Sequence, residues 1–252
     1  MKPDRPTPAL IPQLRDLWKE AFGDTDAFLD LFFGIAYDPA RCLCLRSQDR
    51  VTAALYWLDV FADDQKFAYI YAVATAADCR GQGLCRQLMR ETAALLTAKG
   101  YHGALLVPQD EGLRTMYGRM GYRNCAPMEE FFCAAGDIPL SVREITAEEY
   151  AALRPAHLPE GSIRPGSEVL TLLTALARFY AGDGFLAAVS REPEHLRILE
   201  YLGDPFETAP LIAALGHREA TVRTPGTGTP FAMYRPLSAQ CTRPEYFAFC
   251  FD

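Results

Sequence analysis

The amino-acid sequence predicts an α/β protein with a mixed sheet (α+β), built from two halves of similar element order. Phe67–Thr75 is an apolar run with the length and composition of a central strand. Leu84–Ala98 follows with leucines at helical spacing, and Ala104–Val107 then has the pattern of a short buried strand. Beyond a linker at Ala134–Pro139, the order of strand, strand, helix, strand and strand recurs, which predicts a tandem repeat of one fold.

The other elements of the first half are marked by turn residues. Gly23, Gly100 and Gly121 each follow a helical pattern, at the position where glycine commonly ends a helix. The expected elements are helices over Leu10–Phe22, over Phe28–Phe33 from a cap at Asp24 or Thr25, and over Glu111–Met120, with strands over Cys42–Arg46, Val51–Phe61 and Tyr122–Cys133.

The second half contains the same kinds of segment. The expected helices cover Ala147–Leu153, Val169–Tyr180 and Ala209–Leu215, and the expected strands cover Val142–Ile145, Gly184–Val189, Leu196–Leu202, Ala220–Arg223 and Phe231–Tyr234. No helix follows the glycine-bearing segment Thr224–Thr229, so we expect a hairpin turn there. The whole pattern predicts one domain at residues 1–136 and a second at residues 137–252.

Composition and charge narrow the class of protein. Half of the 252 residues are hydrophobic and the formal net charge is −7, so we expect a folded protein without a nucleic-acid partner. No apolar run approaches the roughly 20 residues of a membrane helix, and residues 1–14 lack a signal-peptide core, so we expect a cytoplasmic protein with no membrane partner. The eight cysteines form no CxxC motif or Cys/His cluster, which favours reduced thiols and no metal.

The strongest signal for function is the segment Arg80-Gly81-Gln82-Gly83-Leu84-Cys85, between the central strand and the long helix. A helix N-terminus leaves its first amide N–H groups unpaired, and its dipole attracts anions. Glycines let a pyrophosphate approach these amides, the arginine adds positive charge, and the small cysteine leaves room. Upstream, the strand end Val73-Ala74-Thr75 can hydrogen-bond an extended ligand that carries amides. A strand-to-helix turn without any ligand is the alternative interpretation.

With these residues the chain resembles the GCN5-related N-acetyltransferase (GNAT) superfamily over roughly residues 10–133. The family's acetyl-CoA signature is (Arg/Gln)-x-x-Gly-x-(Gly/Ala); Arg80 and Gly83 match it, and Cys85 is a mild departure. The resemblance implies a GNAT fold in the N-terminal half and acetyl-CoA as cosubstrate, with the pantetheine arm held by residues 73–75. It also implies a degenerate GNAT-like second half, in a tandem arrangement that resembles the Eis-like acetyltransferases.

A second matching segment is Met116-Tyr117-Gly118-Arg119-Met120-Gly121-Tyr122, which resembles the family's (Leu/Ile)-Tyr-x-x-x-Gly-(Phe/Tyr) motif. The resemblance implies that Tyr117 lies near the sulfur of CoA and protonates the departing thiolate, and that the Val73 N–H donates to the oxyanion. A phenol suits this role because its usual pKa, about 10, keeps it protonated at rest. A packing role is the alternative for Tyr117.

The general base is left open by the sequence. Asp110, Glu111, Glu129 and Glu130 are candidates by sequence proximity only, and water can carry the proton instead. The apolar C-terminal segment ends at Asp252, and the resemblance to Eis-like enzymes, in which a C-terminal carboxylate serves as base, adds this residue to the candidates.

These features predict an N-acetyltransferase that moves an acetyl group from acetyl-CoA to a primary amine of a small molecule or peptide by direct transfer. The second half has ten basic and fifteen acidic residues, which favours a cationic acceptor, and acids in Gly203–Glu207 disfavour a second CoA site. One alternative is a non-catalytic acyl-CoA-binding sensor or scaffold, which need not keep Tyr117. Another is a Fem-like aminoacyl or peptidyl transferase, which would require a basic surface for tRNA. The acyl-chain preference and the oligomeric state do not follow from the sequence.

Overall fold

The computed structural model describes residues 2–191 and 195–248. The chain divides into two compact units, one made of residues 1–123 and 234–242 and the other of residues 124–233 and 243–252. Both units combine helices with strands of a mixed sheet, which confirms the predicted fold class. Within the described ranges, no helix has both the length and the apolar character needed to cross a membrane.

The first unit is an antiparallel series of three strands followed by a helix and a parallel fourth strand. Its elements are strands β1 (Cys42–Ser47), β2 (Arg50–Ala62), β3 (Gln65–Thr75) and β4 (Gly103–Leu106), and helices α1 (Ile11–Phe22), α2 (Asp26–Ile35), α3 (Leu84–Ala98) and α4 (Glu111–Gly118). The strands lie in the order β1-β2-β3-β4, and only β4 runs parallel to its neighbour. Helix α3 has the bounds that the sequence predicts, and a single 3₁₀ turn at Ala77–Cys79 precedes it.

Trp18 holds helix α1 against the sheet. Its ring centroid lies 5.0 Å from that of Tyr56 on β2 and 5.6 Å from that of Tyr71 on β3. Phe32 of α2 packs against the same indole at 4.6 Å, and both Trp18 and Phe32 are buried. Burial of a large apolar side chain stabilises a fold by about 1.5–3 kcal/mol. The C-terminal end of α1, which carries Glu20, is thereby fixed beside the loop that follows β3.

The second unit repeats this order with a much shorter crossover helix. Its elements are strands β5 (Arg123–Ala134), β6 (Arg143–Ile145), β7 (Arg164–Pro165), β8 (Ala177–Gly182), β9 (Phe185–Ser190), β10 (Arg197–Leu202), β11 (Glu219–Pro225) and β12 (Thr229–Pro236), and helices α5 (Ala147–Leu153), α6 (Ser167–Leu176) and α7 (Thr208–Ala214). Strands β8, β9 and β10 are antiparallel, α7 follows them, and β11 then runs parallel to β10. The first unit has the same succession in β1, β2, β3, α3 and β4.

Two local expectations for the second half are wrong. The helix expected over Val169–Tyr180 ends at Leu176, because residues 177–182 form β8 and pair with β9. The segment Thr224–Thr229 is not a hairpin turn, since β11 and β12 lie on either side of β5. Its glycines lie close to β5, because a Cβ on Gly228 would stand 3.0 Å from the Met128 carbonyl oxygen and one on Gly226 would stand 2.6 Å from Glu129 Cγ.

The two compact units also divide at residues other than 136 and 137. Strand β5 pairs with β11 from Met128 to Ala134 and therefore belongs with the second unit. Residues 234–242 return to the first unit, where the N–H groups of Leu237 and Ser238 donate to the His102 carbonyl at 2.9 and 3.1 Å. The division into a catalytic domain at 1–136 and a degenerate domain at 137–252 stays a prediction.

A buried charge pair lies in the second unit. The side chains of Arg154 and Glu200 are 2% and 1% exposed and are joined by two hydrogen bonds of 2.7 Å. The Tyr150 hydroxyl donates to the same carboxylate, and Arg154 Nη1 donates to the Ile163 carbonyl at 2.7 Å. The Arg154 guanidinium carbon also lies 5.6 Å from the ring centroid of Tyr246. One arginine thus connects α5, β10 and the C-terminal segment.

Replacing Arg154 by methionine should destabilise the protein strongly. The change leaves the Glu200 carboxylate buried without its cation, which typically costs about 3–5 kcal/mol of unfolding free energy. Urea unfolding followed by circular dichroism measures the loss. The control is Arg143→Gln, which breaks a solvent-exposed pair with Glu149 and should leave the unfolding free energy nearly unchanged. Equal losses in the two variants would contradict a special contribution of the buried pair.

Candidate functional site

Strand β3 contains a β-bulge shortly before its C-terminal end. The register with β2 shifts so that two residues of β3, Ala72 and Val73, oppose the single residue Leu55. Ala72 has φ +46°, a left-handed conformation that residues with a Cβ rarely adopt. A bulge turns the strand and leaves backbone polar groups outside the ladder of hydrogen bonds. The residues expected to contact a pantetheine arm therefore begin at an irregular point of the strand.

The pairing between strands β3 and β4 stops before the C-terminal end of β3. Their parallel pairing covers Phe67 to Tyr69 on β3 and Gly103 to Leu105 on β4, whereas β3 continues to Thr75. On its other edge β3 stays paired with β2 as far as Thr75. Within the described residues, Val73, Ala74 and Thr75 therefore lie beyond the pairing with β4. This open edge of strand can accept hydrogen bonds from, and donate them to, an extended ligand.

The predicted phosphate cradle is a glycine loop that leads into the first turn of α3. Gly81 and Gly83 have φ of +76° and +77°. A Cβ on either residue would meet nothing within 4 Å, so glycine serves the backbone conformation there. Gly83 is the N-cap residue and no side chain caps the helix. The first amides of α3, including those of Leu84 and Cys85, therefore have no partner within the helix, an arrangement that favours anions.

Two exposed polar side chains lie next to the glycines, Arg80 before them and Gln82 between them. Arg80 Nε donates to the Thr75 carbonyl at 3.2 Å, which holds the guanidinium at the end of β3. Gln82 Nε2 donates to the Asp78 carbonyl at 3.5 Å. Arg80 and the helix N-terminus together supply positive charge at one place. The structure thus brings the predicted cradle residues into one loop beside the open edge of β3.

Tyr117 lies on α4 with its ring buried near the first turn of α3. The side chain is 6% exposed, and its ring centroid is 5.8 Å from that of Tyr122. Burial raises the pKa of the Tyr117 phenol well above its usual range, and the nearby Cys85 thiol and Tyr122 phenol raise it further. The residue that the sequence predicts as acid and the last residue of the predicted cradle are thus neighbours, although the chain separates them widely.

The two candidate bases of the first unit have structural contacts. Asp110 caps α4, because its Oδ1 accepts a hydrogen bond from the Leu113 N–H at 2.7 Å. Glu111 Oε2 lies 3.4 Å from Arg114 Nε, and the Glu111 side chain is 82% exposed. A carboxylate that caps a helix is already committed to backbone N–H groups. Neither contact indicates a base.

The remaining candidate bases belong to the second unit. Glu130 Oε2 lies 2.5 Å from Arg223 Nε, so its carboxylate is engaged in an ion pair. Glu129 is exposed on β5, beside Gly226. Asp252 lies outside the described residues. The identity of the base stays open, and a relay through water requires none of these residues.

Sequence reasoning missed three features of the site. The left-handed Ala72 depends on the register of two strands, for which a single strand carries no signal. Glu20 accepts a hydrogen bond from the Ala77 N–H at 2.6 Å, and Arg50 forms an ion pair with Asp78. These contacts join residues 57 and 28 positions apart, so only the assembled fold reveals them.

Comparison with known proteins identifies the fold. Residues 3–125 match the family model described as an acetyltransferase (GNAT) domain. The chain is similar to a GCN5-related N-acetyltransferase from Kribbella flavida, with 18% identity, a TM-score of 0.71, and coverage of 95% of this chain and 72% of that one. It is also similar to Eis1 from Mycobacterium abscessus, with 10% identity, a TM-score of 0.69, and coverage of 95% and 75%. No curated protein sequence matches the chain.

A tandem GNAT protein from the clavulanic acid biosynthesis pathway is a further similar structure. It has 14% identity and a TM-score of 0.61, and the match covers 95% of this chain and 98% of that one. The residues that match the acetyltransferase (GNAT) domain model occupy the first half of the chain, where the strand end, the glycine loop and Tyr117 also lie. The similar structures share the fold of this chain over nearly its whole length.

The Cys85 thiol should react slowly with alkylating reagents. Burial raises its pKa to about 11. At pH 8 only about one such thiol in a thousand is ionised, against about one in four for a cysteine of pKa about 8.5. Iodoacetamide labelling, followed by peptide mass spectrometry, should therefore rise about tenfold per pH unit between pH 7 and 9. Glutathione is the control, and labelling of Cys85 as fast as glutathione at pH 7.5 would contradict the inferred burial.

Proposed function

We propose that this chain transfers the acetyl group of acetyl-CoA directly to a primary amine of a small molecule or peptide. The observation that carries the proposal is the convergence of three features in the first unit. They are the open strand end at Val73–Thr75, the uncapped glycine N-terminus of α3, and the buried Tyr117 near Cys85. A thioester on a long amide-bearing arm, with a pyrophosphate at the far end, has the groups that these features would bind.

Binding of acetyl-CoA is proposed to rest mainly on the backbone. The loop Arg80–Cys85 would receive the pyrophosphate, with the amides of Gly83, Leu84 and Cys85 as donors and Arg80 as counter-charge. Val73, Ala74 and Thr75 would pair with the amides of the pantetheine arm as an added strand does. The Val73 N–H is the proposed donor to the thioester oxygen, on which negative charge develops. Gly81 and Gln82 shape the loop.

The reaction needs one proton supplied and one removed. The amine nitrogen attacks the thioester carbon, a tetrahedral oxyanion forms, and the carbon–sulfur bond then breaks. The leaving thiolate takes the proton of Tyr117, and the nitrogen releases a proton to water, from which the tyrosinate is reprotonated. Burial raises the pKa of Tyr117 and so disfavours a lasting tyrosinate. The proton released by the nitrogen is therefore proposed to reach Tyr117 through water as the sulfur departs, so that no buried anion persists.

Direct transfer is favoured over an acyl-enzyme. An acyl carrier would have to be a thiolate, and burial keeps the pKa of Cys85 at about 11. Its position in the first turn of α3 also places it next to the proposed pyrophosphate. We therefore assign no covalent role to Cys85.

The acceptor is proposed to be cationic. The part of the chain after residue 136 has ten basic and fifteen acidic residues and no lysine. An excess of acidic groups raises the local concentration of cations and favours amines such as polyamines, aminoglycosides or basic peptides. No nucleic-acid or membrane partner is proposed. A panel of amines, assayed by the release of free thiol from acetyl-CoA, identifies the acceptor.

Arg80→Glu should weaken the binding of acetyl-CoA. The change removes a cation beside the proposed pyrophosphate and places an anion there, so Kd should rise by roughly tenfold or more. Calorimetric titration measures the affinity. Arg90→Glu makes the same change of charge at an exposed position further along α3 and should leave Kd nearly unchanged. Equal effects of both substitutions would mean that general charge, and not the cradle, governs binding, and no binding to the wild-type chain would refute the proposal.

Tyr117→Phe should lower kcat by about a hundredfold or more, with little change in the Kd of acetyl-CoA, because it removes only the proton donor. The raised pKa of Tyr117 keeps the donor protonated, so the wild-type kcat should show no decline due to this group as the pH rises to about 10. Tyr122→Phe, which removes the neighbouring hydroxyl, is the control and should retain most of the activity.

The same variants separate catalysis from sensing. An unchanged kcat in Tyr117→Phe would contradict the assignment of the acid. A wild-type chain that binds acetyl-CoA but acetylates no amine of the panel would instead favour the non-catalytic acyl-CoA sensor.

A further inference from the structure

The loop between β3 and α3 is fastened to two distant parts of the first unit. Glu20 Oε1, near the end of α1, accepts a hydrogen bond from the Ala77 N–H at 2.6 Å. Arg50, the first residue of β2, forms a two-pronged ion pair with Asp78, with Nη1–Oδ2 and Nη2–Oδ1 distances of 2.5 and 2.9 Å. We propose that Glu20, Arg50 and Asp78 are positioning residues that hold the cradle in the conformation that binds acetyl-CoA. The inference rests on the proposed function.

The cradle needs such support because its own residues favour disorder. Gly81 and Gly83 both adopt left-handed conformations, and glycine loses more backbone freedom on ordering than any other residue. The turn that precedes them is closed by two hydrogen bonds. The Cys79 N–H donates to the Ala76 carbonyl at 2.9 Å, and the Arg80 N–H donates to the Ala77 carbonyl at the longer distance of 3.4 Å. Anion binding requires several amides to point at one place, so the order of this loop controls affinity.

The two fastenings act directly on the chain that leads to the glycines. Ala77 and Asp78 form the turn immediately before Arg80, and the Asp78 carbonyl accepts a hydrogen bond from Gln82. The start of the loop is pinned to β2, because the Ala76 N–H donates to the Thr52 carbonyl at 2.9 Å. Release of Asp78 therefore loosens the segment between this fixed point and the first turn of α3.

The same contacts contribute little to the stability of the whole unit. The side chains of Arg50 and Asp78 are 54% and 60% exposed, and water screens such pairs. The hydrogen bonds from Arg50 lower the pKa of the Asp78 carboxyl, so the pair stays ionised at neutral pH. Substitutions at these positions should therefore leave a folded protein, and the main consequence should be seen in ligand binding.

An effect of charge alone and an effect of holding the loop predict different changes in the affinity for acetyl-CoA. Glu20 and Asp78 are anions close to the proposed pyrophosphate, so simple electrostatics predicts tighter binding of acetyl-CoA after Asp78→Asn or Glu20→Ala. Arg50→Gln should weaken binding on either view. If the three residues act by holding the loop, all three substitutions weaken binding. The sign of the change at the two acidic residues therefore decides between the two explanations.

The test compares Glu20→Ala, Asp78→Asn, Arg50→Gln and the exchange that combines Arg50→Asp with Asp78→Arg. Each single substitution should raise the Kd and the KM for acetyl-CoA by about three- to tenfold with kcat nearly unchanged, and the exchange should recover part of the loss. The control is Arg90→Gln, which breaks a similarly exposed pair with Glu91 on α3 and should not change Kd. Unchanged or tighter binding by Asp78→Asn would overturn the inference.

A second measurement is independent of catalysis. Hydrogen exchange of the amides of residues 77–83 in the ligand-free protein should be faster in Asp78→Asn than in the wild type, while exchange in β2 stays the same. Equal rates in the loop would overturn the fastening role. If the wild-type chain does not bind acetyl-CoA at all, the proposed function fails, and the exchange rates alone decide whether these residues hold the loop.

Discussion

The whole site depends on the manner in which strand β3 ends. A strand inside a sheet has both edges paired and offers nothing to a ligand. Here the pairing with β4 stops at Tyr69 while β3 continues, and the bulge at Ala72 and Val73 redirects its last residues. A left-handed alanine costs on the order of 1–3 kcal/mol, so its surroundings must hold it in place. Tyr71, on one side of it, packs against Trp18, and Ala74, on the other, is paired with Ala54.

Helix α3 places two opposite electrostatic environments within a single turn. Its backbone amides face the loop, lack helical partners and favour anions. The Cys85 side chain of the same turn is half-buried near Tyr117, and burial raises the pKa of both groups. The exposed amides of this turn would therefore stabilise a pyrophosphate, whereas its side-chain face disfavours negative charge.

Sequence patterns predict the features of this site that lie in one contiguous segment, and they miss the contacts between segments that are distant in the sequence. The bounds of α3 are predicted correctly because glycines and leucine spacing mark both ends of the helix. Tyr117 can be proposed as the acid from the sequence because its motif is contiguous. The end of α6 is missed, since Ala177–Tyr180 continues an apolar pattern and becomes a strand only through its partners in β9. The Arg50–Asp78 pair is missed for the same reason. Such contacts depend on register and packing, which a linear pattern does not encode.

The second unit shows that the fold by itself does not produce a helix N-terminus with free amides. It has the same three antiparallel strands, a crossover helix and a parallel strand, yet the turn after β10 lacks a second glycine. Asp204 Oδ1 accepts a hydrogen bond from the Phe206 N–H at 3.0 Å, so a carboxylate of the chain itself uses an amide that a phosphate would need. Glu207 then stands at the N-cap of α7, where its negative charge repels another anion.

In the first unit the equivalent position is Gly83, whose lack of a side chain leaves the amides of α3 unused by the protein. The proposed acyl-CoA site therefore depends on the absence of capping side chains at the start of α3. The strand order that both units share determines only where that helix begins.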